Sequence, residues 1–354
     1  MKSNKSLHTI LPSKYPIIQA PMFGVTTPEM VAAANRANCL GSLALGDLNA
    51  DKCIEQIRKT KELTDQAFIA NIFVHQLPEV NHDLIEHYNT TKLYIEQLAK
   101  EHHLDVKIPE FEEIKLNSYH EQIDAIIAEN CKIVSFTFGN LDDDSIHKLK
   151  ANDILTIGTC TSLEEALLLE KSGIDILNIQ GWEAGGHRGS FKDHDIPKIG
   201  GLALLNTIKE HVQNPLIYSG GVTNARIISA VKKMGADGFQ IGSLLLNSEE
   251  SALHEFEKNK LSSIKEDDIV LTKSFSGRYA RGIKNTFIEK VEQSNYILPY
   301  PYQNKLTNEL RKVAKLNKNS EFTSNWIGQS IPKLSRESTT TILNNLINEI
   351  ETFD

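Results

Sequence analysis

Eight short, nearly continuous apolar runs alternate along the chain with longer stretches in which apolar residues recur at helical spacing. The runs are Pro16–Ala20, Leu40–Leu45, Ala67–Phe73, Lys132–Phe138, Ile154–Gly158, Ile174–Gln180, Pro215–Ser219 and Gly238–Ile241. Continuous hydrophobicity, rather than strict alternation, marks parallel strands covered on both faces. Helical patterns follow nearly every run, as at Pro28–Asn38, Asp51–Leu63, Ser162–Ser172 and Asn224–Met234. Thr27 before Pro28, and Thr161-Ser162 before Glu164-Glu165, supply the caps that begin such helices.

Eight βα units in a row fit either a barrel or a doubly wound sheet. The count of eight, and the lack of a GxGxxG after the first run, predict an α/β protein of the (βα)₈ TIM-barrel class. The rhythm breaks after the third run. Residues 75–120 are rich in His, Glu, Asn and Lys, with one long helical stretch at Leu84–His102, and are read as an insertion in a βα loop on the active-site side. Residues 1–250 are thus expected to form the barrel. Residues 251–354 are mostly helical and polar, and are expected to form a C-terminal cap or extension.

Charge and cysteine content narrow the function classes. The net charge is −8 over 354 residues, and no long basic run appears. Nucleic acid and membrane-surface partners both call for a concentrated positive patch, so neither is expected. Cys39, Cys53, Cys131 and Cys160 form no CxxC pair and no zinc-ligand spacing, so no metal is expected and reduced thiols in a cytoplasmic protein are. Met1 to Lys14 is polar, without a signal-peptide core. No apolar run approaches the roughly 20 residues needed to span a bilayer.

In a barrel the chemistry sits at the C-terminal ends of the strands. There the sequence places Ala20-Pro21-Met22, Asn71, Gln180, Ser219-Gly220-Gly221 and Gln240-Ile241-Gly242-Ser243. Two glycine turns at adjacent strand ends, one before a helix and one before Leu244-Leu245-Leu246, predict a phosphate site, because backbone N–H groups can approach an anion there. Asn71 and Gln180 are amides ending apolar strands. They either meet the donor–acceptor edge of a planar ring or bond to a neighbouring loop. In Glu183–Gly189, Gly185 and Gly186 bring the backbone close to something, and His187 follows as the candidate catalytic base. Arg188 reads as a salt-bridge partner rather than a catalyst. The other histidines read as surface residues. Arg278 and Arg281 lie in a small-residue segment that reads either as a loop over a phosphate or carboxylate, or as a surface turn. Tyr296, Tyr300 and Tyr302 either wall a pocket or pack the cap.

Pro16–Met22, the Asn71 strand, Glu183-Ala184-Gly185-Gly186-His187-Arg188-Gly189, Ser219-Gly220-Gly221 and Gly235–Ser243 resemble the nitronate monooxygenases, formerly called 2-nitropropane dioxygenases. The likeness extends to Phe275–Asn285 and Pro299–Thr307. It implies FMN in the barrel, held by Asn71, Gln180, Gly185, Gly220 and Gln240 through Ser243, with His187 beside the flavin. It further implies oxidation of nitronates such as propionate 3-nitronate by O₂ without NAD(P)H, through a flavin semiquinone. Phe23-Gly24-Val25, Trp182 and Ser219 depart from the usual pattern, and a bulky Trp182 could narrow the substrate pocket. Two alternatives stand beside this reading. One is an FMN-dependent enoyl-acyl-carrier-protein reductase using NAD(P)H. The other is a non-catalytic flavin- or phosphate-binding barrel.

Overall fold

The computed structural model describes residues 7–353. Of the polar N-terminal stretch, residues 1–6 therefore lie outside the described residues. All eight expected strands are present. They are β1 (Ile17–Gln19), β2 (Ser42–Gly46), β3 (Ile69–Phe73), β4 (Ile133–Thr137), β5 (Leu155–Cys160), β6 (Ile176–Gln180), β7 (Leu216–Ser219) and β8 (Gly238–Ile241). Each pairs in parallel with its neighbours, in the order β1-β8-β7-β6-β5-β4-β3-β2. A parallel bridge between Ile18 and Leu40 joins the two edges and closes the barrel.

Alternation along each strand divides the barrel into layers. Outward residues such as Val134, Phe136, Leu177, Ile179 and Ile241 pack under the helices. Inward residues are apolar at the floor, where Ile69, Ile133, Ile157, Ile176 and Ile217 meet Leu7 and Leu11. Gly238 leaves room for this plug, since a Cβ there would lie 2.5 Å from Leu7 Cδ2. Two residues further along, the inward positions turn polar, as at Asn71, Ser135, Thr159, Asn178, Ser219 and Gln240. The same period of two that hides the strands' outer faces thus delivers a polar surface at their C-terminal ends.

The helix ring runs α1 (Pro28–Arg36), α2 (Ala50–Leu63), α3 (Tyr119–Ala128), α4 (Asp143–Ala151), α5 (Leu163–Lys171), α6 (Gly201–Lys209), α7 (Ala225–Lys233) and α8 (Thr339–Phe353). Thr27 and Ser162 cap α1 and α5, accepting from Met30 N and Glu165 N. Helix α8 comes from the end of the chain and packs between α7 and α1, completing the ring.

Two further bodies sit on the strand-end face. The insertion carries a helix at His82–Glu101, and the C-terminal region carries one at Tyr302–Leu316. Leu84, Tyr88 and Ile95 of the first share an apolar cluster with Leu306 and Leu310 of the second. A hairpin of Ile269–Thr272 and Ala280–Ile283 takes Gly186–His187 as its third antiparallel strand. The sequence pattern gave no sign of this small sheet. The four cysteines are free and buried, and burial pushes the Cys39 and Cys53 thiols up to about 12. No described helix is long and apolar enough to cross a membrane.

Candidate active site

A cleft of about 390 Å³ opens at the strand ends, within the range of small-molecule sites. Its two ends differ in composition. At one, Gly220 and Gly221 follow β7 with φ of +112° and +72°. A side chain is strained at such angles, and a Cβ on Gly220 would press on Ala184 N at 3.1 Å. Gly242 and Ser243 follow β8, and Ser243–Leu245 forms the short helix expected there. Ala20, Pro21 and Met22 complete this side. Of the strand-end candidates, Ile241 faces away, since its side chain lies in the outer core.

At the other end His187 stands among aromatic rings. Its ring centroid lies 5.7 Å from Phe138, 5.5 Å from Trp326 and 6.5 Å from Phe73. Tyr300 packs on Phe138 at 5.6 Å, with its hydroxyl buried and unpartnered. Phe138 has φ of +82°, an outlier for a bulky residue, and strain of this kind collects at functional sites. Burial is the main cause that lowers the His187 pKa to about 3, with Arg278 and Arg311 adding repulsion. Both causes favour the neutral imidazole near pH 7.

The loop that carries His187 is fixed at several points. Gln180 Nε2 donates to His187 O at 3.0 Å, and Gly189 N donates to Gln180 Oε1 at 2.8 Å. Gln180 lines the cleft and at the same time bonds to the neighbouring loop. Asn71 donates to Ser135 Oγ at 2.8 Å. Asn178 donates to Thr159 Oγ1 at 3.3 Å and leaves its own Oδ1 buried without a partner. That orphaned acceptor lies on a strand facing the cleft and calls for a donor. Alternation along β6 held the signal for Asn178, because it shares the inward face with Gln180.

Several expectations need correction. The arginine of the loop forms no ion pair among the described residues. Arg188 instead donates to Gly181 O and to Gln180 O, the latter at 3.1 Å. Its guanidinium lies 5.4 Å from the Trp182 ring, and Arg281 lies 5.2 Å from the same ring. Trp182 is thereby held away from the cleft and does not narrow it. Arg278 and Arg281 do not line the cleft either; they donate to Ser190 O, Phe191 O and Trp182 O. His75 is not a surface residue, since both its ring nitrogens are buried. Tyr300 walls the cleft, whereas Tyr296 stacks on Tyr94 and Tyr302 on Phe111.

Two contributors carried no local sequence signal. The strap Trp326–Ser330 lies across the His187 loop, with Gln329 N donating to Glu183 O at 2.9 Å and Gly328 N to Ser243 Oγ at 3.0 Å. It explains Gly185, where a Cβ would lie 2.5 Å from Gly328 N. The helix Tyr302–Leu316 brings Asn304, Asn308 and Arg311 to the cleft. Arg311 donates to Thr307 O and to the carbonyl and side-chain oxygens of Asn304, with no ion-pair partner among the described residues. By contrast Lys312 and Lys315 pair with Glu309 and Glu257.

The profile of a known family, described as nitronate monooxygenase, matches residues 4–350. The chain belongs to the nitronate monooxygenase family. As a member, it is an oxidoreductase. A relative named probable nitronate monooxygenase, from Staphylococcus aureus, is 37% identical over 99% of this chain and 98% of its own. A nitroalkane oxidase from Streptomyces ansochromogenes superposes with a TM-score of 0.88 at 30% identity, covering 96% of each chain. FabK from Thermotoga maritima superposes with a TM-score of 0.73 over 99% of this chain and 97% of its own. At 22% identity that likeness speaks to the fold alone.

Proposed function

We propose that the chain binds FMN in this cleft and oxidises alkyl nitronates, propionate 3-nitronate among them, with O₂ as the acceptor. The residues present fit the cofactor. Gly220, Gly221, Gly242 and Ser243 would hold its phosphate, as backbone donors beside the start of α7. Asn71, Asn178 and Gln240 would face its ring from the strand ends, with Asn178 Oδ1 free to accept an N–H. Ala20 to Met22 and Gly185-Gly186 would border it. When bound, FMN supplies the redox chemistry, taking electrons from the substrate and passing them to O₂.

The observation that carries the nitronate reading is electrostatic. His187 is kept neutral by burial and by Arg278 and Arg311, and those same charges favour an anion in the pocket. A nitronate is already the anion and calls for no base. The rings of Phe73, Phe138 and Trp326 make the surroundings of His187 apolar, which strengthens these interactions. Oxygen uptake tests the reading. Purified protein should consume O₂ with propionate 3-nitronate and no NAD(P)H, and heat should release a chromophore of FMN mass. FAD, no flavin after reconstitution, or uptake that depends on NAD(P)H would refute it.

A further inference from the structure

We propose that Ser276 is a positioning residue that fixes His187 as the Nε2–H tautomer and leaves the Nδ1 lone pair as the ring's open acceptor. Ser276 is fully enclosed in the segment between the two hairpin strands, and its Oγ lies 2.8 Å from His187 Nε2. Which of the two atoms donates follows from the other bonds of this hydroxyl. Ser276 Oγ also lies 3.0 Å from Arg278 O, and Arg278 N donates to Ser276 Oγ at 3.3 Å.

A serine hydroxyl has one proton to give and two lone pairs to accept with. Arg278 O has no other donor among the described residues. Turning the serine proton toward the imidazole would leave that buried carbonyl without a donor, which is costlier than the arrangement that satisfies every group. The proton therefore goes to Arg278 O, and both lone pairs receive N–H groups, one from Arg278 and one from His187 Nε2. A neutral imidazole with a protonated Nε2 carries its lone pair on Nδ1. Nδ1 has no protein partner among the described residues and is not among the buried unpartnered atoms, so it is open to the cleft that His187 lines.

The backbone of His187 is set by pairing with Ala280 and by Gln180. The remaining freedom is rotation and proton placement of the ring. The surrounding aromatic rings restrict the first, and Ser276 is the hydrogen-bonding group that sets the second. The orientation matters for neutral nitroalkanes. Their α-C–H bond must break, with the proton taken up at Nδ1 and the electron pair left on the substrate as the nitronate. A preformed nitronate moves no proton. The inference rests on the proposed reading in so far as His187 faces the substrate.

Long-range ¹H–¹⁵N spectra of histidine-labelled, flavin-loaded protein test it directly. Wild type should show His187 as a single tautomer with Nε2 protonated and Nδ1 bare. Ser276→Ala should lose that single tautomer at unchanged flavin content. The ratio of nitroalkane to nitronate turnover should fall about tenfold, the worth of one hydrogen bond. A protonated Nδ1 in wild type would overturn the proposal without any variant, as would an unchanged tautomer or an unchanged ratio in Ser276→Ala. Failure of the functional reading looks different: wild type would turn over no nitronate, while the tautomer assignment stood.

Discussion

The two ends of the cleft are built from different materials. The glycine end is backbone: Gly220, Gly221 and Gly242 offer no side chains, and their positions follow from β7 and β8. The His187 end is side chain, and most of what surrounds that imidazole comes from elsewhere in the chain. Tyr300, Arg311 and Trp326 come from the C-terminal region, and Phe138 is held at a strained φ. A backbone site tolerates drift in neighbouring side chains but not the addition of a Cβ. A side-chain site behaves in the opposite way. The strap at Gly328 touches both ends, through Ser243 and through Glu183, and so couples them.

The broadest expected effect, loss of the cofactor and with it every activity, is at the glycine end. Gly220→Asp adds a Cβ at φ +112° and a negative charge where a phosphate is expected. Flavin occupancy should fall by at least about tenfold, equivalent to some 1.4 kcal/mol of binding. Absorbance of the bound chromophore per protein reads this, with circular dichroism to confirm the fold. Wild-type flavin content in a folded variant would place the phosphate elsewhere.

His187→Asn probes the other end. Turnover of a neutral nitroalkane should drop about a hundredfold, the scale of a general base. Turnover of a preformed nitronate should change only a few-fold, at unchanged flavin content. An equal loss on both substrates would make His187 a contributor to anion binding instead. Gly185→Ala then tests the coupling. Its Cβ would meet the strap backbone at 2.5 Å, so the variant should lose about 1–3 kcal/mol of stability and weaken flavin binding and turnover together. Thermal denaturation, flavin titration and turnover should move as a set; a loss confined to one end would break the link.

Acid provides a smaller test of the enclosed rings. Burial holds His187 down to about 3 and His75 to about 4, against an ordinary 6.5. Between those values and 6.5 the unfolded chain binds more protons than the folded one. The stabilisation is therefore complete above about pH 6.5 and is lost as pH falls toward 4. Each ring contributes a slope of at most about 1.4 kcal/mol per pH unit. Melting temperature against pH should flatten between 6.5 and 4 when both histidines are replaced by asparagine. An unchanged slope would mean that these rings are already charged in the fold. The smallest effect is expected for Trp182→Phe, because that ring contacts the Arg188 and Arg281 guanidinium groups outside the cleft. KM for a nitronate should stay within about twofold while the melting temperature drops slightly, as expected for weakened cation–π contacts.

What could be read in sequence followed the range of the forces involved. The strands were legible because an apolar run bounded by turns is a local property, and β8 was located at Gly238–Ile241 without change. The glycine turns were legible for the same reason. The partner of His187 was not, because Ser276 lies 89 residues away and reaches it only through a hairpin the periodicity did not show. Gly185 announced a close approach but could not name the strap. Trp182 and Arg188 show the limit of reading residues singly. In sequence each has only its own chemistry, bulk or charge, whereas in the fold the two lie against each other. Asn178 was missed although its strand was placed, since the inward face was read only at its end.

The central claim is that a nitronate delivers electrons to a flavin held in this cleft. Anaerobic mixing of the purified, flavin-loaded protein with propionate 3-nitronate tests it most directly. The flavin absorbance should bleach without NAD(P)H and return on admitting air. A spectrum unmoved by the nitronate, yet bleached by NADH, would contradict the account.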